Sequence, residues 1–287
     1  MIAFWKRECR GYFQSLVGYI FIAGVLCVIG ANTYLTCLAG RIPSYETALA
    51  SSALVFLLMV PILTMRLFSE DRKDNVLLFF YSLPLRLGSL VLGKYLALLT
   101  ILVIPLVISV VYPLVLSAFG TLSVGIIAST YLGFFAMGAA LLSIGLFFAA
   151  LLENQVAASA VTFIVLLASY LMPTLAASIP NSALVSLISL AVLALIFALI
   201  WFLLTRSWKG ALIAAAVVCV PACLVYFLYP AALEGLLSTL MGALSVYSRF
   251  ASFEEGILDL TALIYYVTLT ALMLFLTVQV LESRRFR

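Results

Sequence analysis

Few side chains in this 287-residue chain could do chemistry. It has no histidine, so it lacks the commonest general base and the commonest nitrogen ligand for a metal. Its five cysteines are Cys9, Cys27, Cys37, Cys219 and Cys223. Cys219 and Cys223 share a helix face, but two thiols with no histidine or carboxylate beside them make a poor metal site. Gly88, Gly93 and Lys94 fit the start of a phosphate-binding loop, G-x-x-x-x-G-K. The next residue is Tyr95, where Ser or Thr should hold magnesium, and no strand precedes the run. No catalytic, cofactor-binding or metal site is expected, and the chain is read as a non-enzyme.

The composition explains this scarcity. The chain is 66% hydrophobic and 9% charged, against roughly 25% charged in a soluble domain. Its mean hydropathy is +1.29. A water-soluble protein of this size could not hide so much apolar surface. The expected fold is therefore an all-α integral membrane protein, since backbone polar groups in lipid must bond within their own segment. Apolar runs long enough to cross about 30 Å of hydrocarbon are expected near 17–39, 49–66, 95–118, 124–151, 156–177, 183–204, 210–230 and 260–281. That makes a single bundle of about eight transmembrane helices over 1–287. The run after residue 16 is too long for a signal peptide and reads as an uncleaved span.

Orientation follows from the basic residues. With the N-terminus inside, the cytosolic pieces hold Lys6, Arg7, Arg10, Arg66, Arg72, Lys73, Arg86, Lys94, Arg206, Lys209, Arg284, Arg285 and Arg287, and the outer loops hold Arg41 and Arg249. Positive charge stays inside, so both termini are expected in the cytosol of a bacterial-type plasma membrane. The small net charge of +4 speaks of orientation, not of nucleic acid. Hardly any ionisable residue lies deep in a span. Proton- or ion-coupled carriers need such residues, so energy should enter from elsewhere.

Three segments are more than spans or turns. Residues 1–16 carry Trp5, Cys9, Tyr12, Phe13 and Leu16 on one stripe with Lys6, Arg7, Arg10 and Gln14 opposite, the pattern of an interfacial helix. Residues 67–94 open with the mixed cluster Glu70-Asp71-Arg72-Lys73-Asp74. An apolar run from Val76 to Tyr81 follows, and Ser82-Leu83-Pro84 breaks it. Six consecutive apolar residues in a solvated loop are costly, so a short amphipathic helix docking a partner fits both halves. Residues 231–259 place Leu233, Leu236, Leu237, Leu240, Leu244 and Tyr247 on one stripe, then reach Phe250, Phe253, Gly256 and Asp259. This reads as an outer re-entrant helix, either a packed lid or an exit gate.

In order and spacing these segments resemble the permease subunits of type-2 ABC exporters, in the branch of gliding-motility and copper-enzyme-maturation permeases. The resemblance rests on four stretches. They are Trp5-Lys6-Arg7-Glu8 through Ile20; Met65 to Arg72 with Leu83-Pro84 and Leu92-Gly93-Lys94-Tyr95; Glu153-Asn154-Gln155-Val156-Ala157-Ala158; and Arg249-Phe250 through Leu260 with Tyr265-Tyr266, ending in Glu282 to Arg285. It implies that Glu70–Tyr81 is a coupling helix seated in a separate ATPase subunit. Glu70, Asp71, Arg72 and Lys73 would supply polar contacts, Leu77 and Phe80 the anchors, and Leu83-Pro84 the end of the helix. ATP and magnesium would be bound by that partner, and a second permease copy or a paralogue would complete the path in the lipid. Glu153, Asn154 and Gln155 would form the second cytosolic turn, and Phe250, Phe253, Gly256 and Asp259 the outer gate. The chain departs from the pattern at 183–230, an extra hairpin where many relatives have six spans. A carrier or channel not driven by ATP is the alternative. Asn32, Thr33, Ser109, Tyr112 and Thr162 fit either a path lining or ordinary interhelical bonding. Gly18, Gly24 and Gly30, with Ala139, Ser143 and Gly145, would permit close helix approach.

Overall fold

A computed structural model describes residues 2–40, 44–69, 87–118, 122–178 and 236–285. Among them there is no strand. The elements are α1 (Ile2–Gln14), α2 (Leu16–Thr33, prolonged by a π-turn Tyr34–Ala39), α3 (Tyr45–Ser51), α4 (Val55–Thr64), α5 (Leu87–Ser109), α6 (Val111–Leu116), α7 (Val124–Leu151), α8 (Gln155–Ser178), α9 (Leu236–Leu244), α10 (Ala251–Glu254) and α11 (Leu260–Arg285). Six helical stretches are long and apolar enough to cross a membrane: Leu16–Ala39, Tyr45–Thr64, Leu87–Leu116, Val124–Leu151, Gln155–Ser178 and Leu260–Arg284. Their outer faces carry large apolar side chains in the open, such as Val107, Ile164 and Phe275. Exposed apolar surface on that scale is stable against lipid and not against water. The chain is a multi-pass membrane protein. The spans expected at 183–204 and 210–230 lie outside the described residues.

Local chemistry explains where the long helices bend. At the end of α2, the Thr33 hydroxyl donates to the Ile29 carbonyl at 2.7 Å and Thr36 to Asn32 at 2.7 Å. The turn then widens until the Gly40 amide reaches the Leu35 carbonyl at 3.1 Å, an i→i−5 bond. Between α3 and α4, Ser51 and Ser52 hydroxyls bond back to the Ala48 carbonyl, and Ser52–Leu54 tightens to a 3₁₀ turn. At the α5–α6 break, Pro113 has no N–H to give the Ser109 carbonyl, four residues earlier.

The described elements fall into two compact units, Met1–Ala168 with Arg249–Arg287, and Ser169–Ser248. In the first, α7 is the axis: α3, α4, α5, α10 and α11 all pack on it. Phe56 and Phe134 meet with ring centroids 4.7 Å apart at its middle, with Met137, Leu141 and Leu102 fully buried around them. Gly138 faces Phe56, and Gly145 faces Thr64 so closely that an added Cβ would lie 2.6 Å from its hydroxyl oxygen. Gly24 and Gly30 likewise meet Met59 and Tyr112. Of the small residues expected to permit close approach, Gly24, Gly30 and Gly145 are thus used within this chain. In the second unit, the Ser245 hydroxyl donates to the Ser169 carbonyl at 2.9 Å, and the Val246 amide to the Ser169 hydroxyl at 2.9 Å.

Candidate functional site

The described helices alternate in direction, so one end of the first unit collects α1, the end of α4, the start of α5, the α7–α8 turn and the end of α11. That end is basic, with Arg66, Lys94 and Arg284. Its centre is Lys94, whose side chain is 1% exposed. Burying an ammonium is tolerable only with charge and hydrogen-bond partners. Lys94 Nζ donates to the Leu67 carbonyl at 2.6 Å, pairs with Glu8 Oε1 at 3.1 Å, and lies 5.2 Å from the centre of the Phe68 ring. Glu8 also accepts from Arg7 at 2.7 Å. A small hollow of about 60 Å³ beside them is lined by Glu8, Tyr12, Ser15, Arg66 and Lys94 among others.

One lysine thus ties three elements: α1 through Glu8, the exit of α4 through Leu67, and α5, which carries it. Two further bonds seat α1 on the bundle. Trp5 Nε1 donates to Thr100 Oγ1 at 2.9 Å, and the Tyr12 hydroxyl donates to the Leu63 carbonyl at 3.1 Å. The expected α1 stripe therefore divides. Trp5, Cys9 and Tyr12 face the bundle, whereas Phe13 is exposed and Leu16 is 77% exposed. Burial raises the Cys9 thiol above its ordinary pKa, opposed by a hydrogen bond from Thr100.

The segment's own candidate residues, Glu70, Asp71, Arg72, Lys73, Leu77, Phe80, Leu83 and Pro84, lie outside the described residues. Its boundary differs from expectation. Residues 87–94 are already helical, so the Gly88 to Lys94 run is part of α5 and not a loop. Lys94, expected among the cytosolic charges, is buried and paired. The available signal was its position, a single charge with Leu-Val-Leu-Gly before it and Tyr-Leu-Ala-Leu-Leu after it. Its partner Glu8 carried no signal.

The turn between α7 and α8, expected as the second cytosolic turn, is assembled as a polar corner. The Asn154 side chain caps α8, accepting from the Val156 amide at 2.9 Å, and Gln155 is the first residue of that helix. Arg284 near the end of α11 pairs with Glu153 at 3.1 Å and donates to the Leu151 carbonyl at 2.7 Å. A cation thus sits on the C-terminal carbonyls of α7, the favourable end of the helix dipole.

At the opposite end, α10 docks on α7. Phe253 is fully buried against Gly133, where an added Cβ would lie 2.5 Å from the ring. Phe250 packs edge-on to Phe134, centroids 6.1 Å apart. The Phe253 carbonyl is approached by the Ser129 hydroxyl at 3.0 Å and the Thr130 hydroxyl at 3.1 Å. The same two hydroxyls approach the Ile126 carbonyl at 2.7 and 2.8 Å. Each hydroxyl has one proton, so the pair serves two carbonyls. The helix then stops in a Schellman turn. The Ile257 amide bonds to Ser252 at 3.0 Å and the Gly256 amide to Phe253 at 3.2 Å, with Gly256 at φ +82°, a backbone state glycine adopts freely. Asp259 caps α11, its Oδ1 accepting from the Thr261 amide at 2.8 Å. That hydrogen bond, with a smaller contribution from Arg249, holds the Asp259 carboxyl below its ordinary pKa. Glu254 is shifted the other way, by burial first and then by Glu255 and Glu46.

The five polar residues expected to fit a path lining or interhelical bonding all have partners. Asn32 donates to Ser52 at 3.0 Å, Ser109 and the Tyr131 hydroxyl lie 3.0 Å apart, and Tyr112 donates to the Leu26 carbonyl at 3.3 Å. Thr33 and Thr162 bond back within their own helices. Sequence reasoning missed Tyr45 and Tyr131, whose hydroxyls meet at 2.8 Å. No three His, Cys, Asp or Glu side chains cluster as metal ligands among the described residues. The chain matches no protein-family model, and no curated protein matches it.

Proposed function

We propose that this chain is the membrane-spanning permease subunit of an ATP-driven exporter, with a separate ATPase subunit acting on residues 67–94. The observation that carries the reading is the placement of charge. In the six described spans, Lys94 is the one Asp, Glu, Lys or Arg lying more than a few residues from a helix end. It is engaged by Glu8 and by the Leu67 carbonyl. An ion-coupled carrier needs a titratable group at depth, with access to one side and then the other. Lys94 is held by those partners and the described spans offer no other such group, which supports a reading in which the work is delivered from outside the bilayer.

The same lysine gives a route for that work. Its bond to Leu67 closes the two ends of segment 67–94 on each other. A pull on the segment therefore moves the exit of α4 and the entry of α5 together, and α1 follows through Glu8. Closure of ATPase subunits around ATP would bias this assembly between two arrangements. Glu70, Asp71, Arg72 and Lys73 would contact the ATPase, with Leu77 and Phe80 buried in it. ATP and magnesium would be held by the partner, a second permease copy or paralogue would face this one across the path, and the membrane would be a bacterial-type plasma membrane. The outer helix with Phe253 would close the far end.

The test is co-purification from native membranes. The chain is expected to bring down an ABC-type ATPase and to stimulate its ATP hydrolysis, and Phe80→Asp to lose both while the protein stays monodisperse. Unchanged recovery and stimulation with Phe80→Asp would remove the docking role. Solute movement driven by an ion gradient, with no ATPase bound, would replace the whole reading.

A further inference from the structure

A second hollow in the first unit plays no part in the proposed coupling. It is a groove of about 540 Å³ between α5, α7 and α11, within the 300–1,000 Å³ range of ligand sites. Ala136, Ala139 and Ala271 leave the room, and longer apolar side chains form the walls. Its polar atoms offer little to a polar ligand: the Tyr95 hydroxyl already donates to the Ala139 carbonyl at 3.2 Å, Thr270 is hydrogen-bonded to Tyr95, and Tyr266 is 1% exposed. The rim is open sideways, with Val267 66% exposed and Leu132 42% exposed.

Position selects the occupant. Along α11 the groove runs from Leu263 to Leu274, about 16 Å at 1.5 Å per residue. One leaflet of a bilayer has about 15 Å of hydrocarbon, half of the usual ~30 Å. At the Leu263 end of α11, Arg249 has its guanidinium 4.4 Å from the centre of the ring of Tyr265, a residue outside the lining whose ring centre is 5.9 Å from that of the lining Tyr266. The buried Arg249 Nε has no hydrogen-bond partner. The exposed carboxylate of Asp259 lies close enough to feel that charge. A slot one leaflet deep, apolar along its length, with a cation at its interfacial end, matches one kind of molecule.

We infer that the α5–α7–α11 groove is a seat for one acyl chain of a phospholipid, taken sideways from the leaflet nearest Asp259, with its phosphate beside Arg249. The seat depends on the membrane-spanning helices alone and stands whether or not an ATPase drives the protein. It orders one lipid where the others in the surrounding annulus exchange freely.

The test uses the full-length protein in nanodiscs of phosphatidylcholine and phosphatidylglycerol, carrying a phosphatidylglycerol with a photoactivatable group midway along one chain. Labelling is expected to concentrate on Leu263–Leu274 and on the α7 wall, and one lipid should survive in native mass spectra. Ala136→Phe and Ala271→Phe fill the groove and should cut that labelling roughly tenfold. Ile164→Phe, on an open lipid-facing position of α8, should leave it unchanged. Arg249→Gln should weaken retention of phosphatidylglycerol more than of phosphatidylcholine. Labelling spread evenly over lipid-facing positions such as Phe275 would overturn the proposal. A photoreactive residue placed at Leu132 reads out any competing occupant independently of how the filled variants fold. Cross-links to lipid support the seat; cross-links to residues 179–235 or to a second copy would refute it.

Discussion

Lys94 is the residue on which the basic end depends. Removing one member of a buried ion pair usually costs about 3–5 kcal/mol, because the partner stays desolvated. Glu8 keeps Arg7 at 2.7 Å, so the lower figure applies. Lys94→Met is expected to destabilise the protein by about 3 kcal/mol, and Glu8→Gln in the same chain to restore much of that loss. The unfolding midpoints of the four members of this double-mutant cycle in one detergent check the coupling. Additive losses would mean that the two side chains do not share the interaction. Charged residues at the other end respond to pH with opposite signs. The Glu254 pKa is raised in the folded state, so its contribution is fully present below its unfolded value and is lost as pH rises through the raised one. The Asp259 pKa is lowered, so its contribution is present above its unfolded value and disappears as pH falls through the depressed one. Glu254→Gln should therefore flatten the loss of stability on the alkaline side of the carboxylate range, and Asp259→Asn the loss on the acid side. Unfolding midpoints measured across that range for both variants test each sign separately.

At the scale of elements, the docking of α10 rests on sharing. Two hydroxyl protons serve the Ile126 and Phe253 carbonyls, so either single loss leaves one proton available to the pair. Ser129→Ala and Thr130→Val should each cost under about 1 kcal/mol, whereas the double variant orphans a buried carbonyl at about 1–3 kcal/mol. Amide exchange at 251–257 is the measurement, and a double effect no larger than the sum would refute the sharing. Gly133→Leu should expel Phe253 outright and expose the same amides. The sequence showed this end only in part. Phe250, Phe253, Gly256 and Asp259 were visible because a glycine between aromatics and an acidic residue before an apolar run are punctuation that local physics enforces. Ser129, Thr130 and Gly133 were invisible, since small and hydroxyl residues recur throughout any transmembrane helix and only the fold says which of them meet a carbonyl or a ring.

For the molecule as a whole, the six described spans follow from apolar run length, and that is why α7 and α8 were anticipated to within a residue at each end. The helix that carries the third expected span, 95–118, begins earlier, at Leu87, because Lys94 brings its own partners in Glu8 and the Leu67 carbonyl and does not end the helix. The alternation of the described spans makes a test of orientation possible. In a cysteine-free background, Glu153→Cys and Glu255→Cys should be labelled by an impermeant maleimide from opposite faces of sealed vesicles. Labelling from the same face would undo the antiparallel arrangement, and with it the assignment of segment 67–94 to the ATPase side.

The Glu8–Lys94 pair also constrains how the protein is made. Its acid belongs to the first helix and its base to α5, so the carboxylate leaves the ribosome with Arg7 beside it, long before Lys94 exists. At roughly 5–20 residues per second during synthesis, α1 waits for several seconds on the membrane surface without its permanent berth. The lysine, when it arrives, folds against a charge already in place.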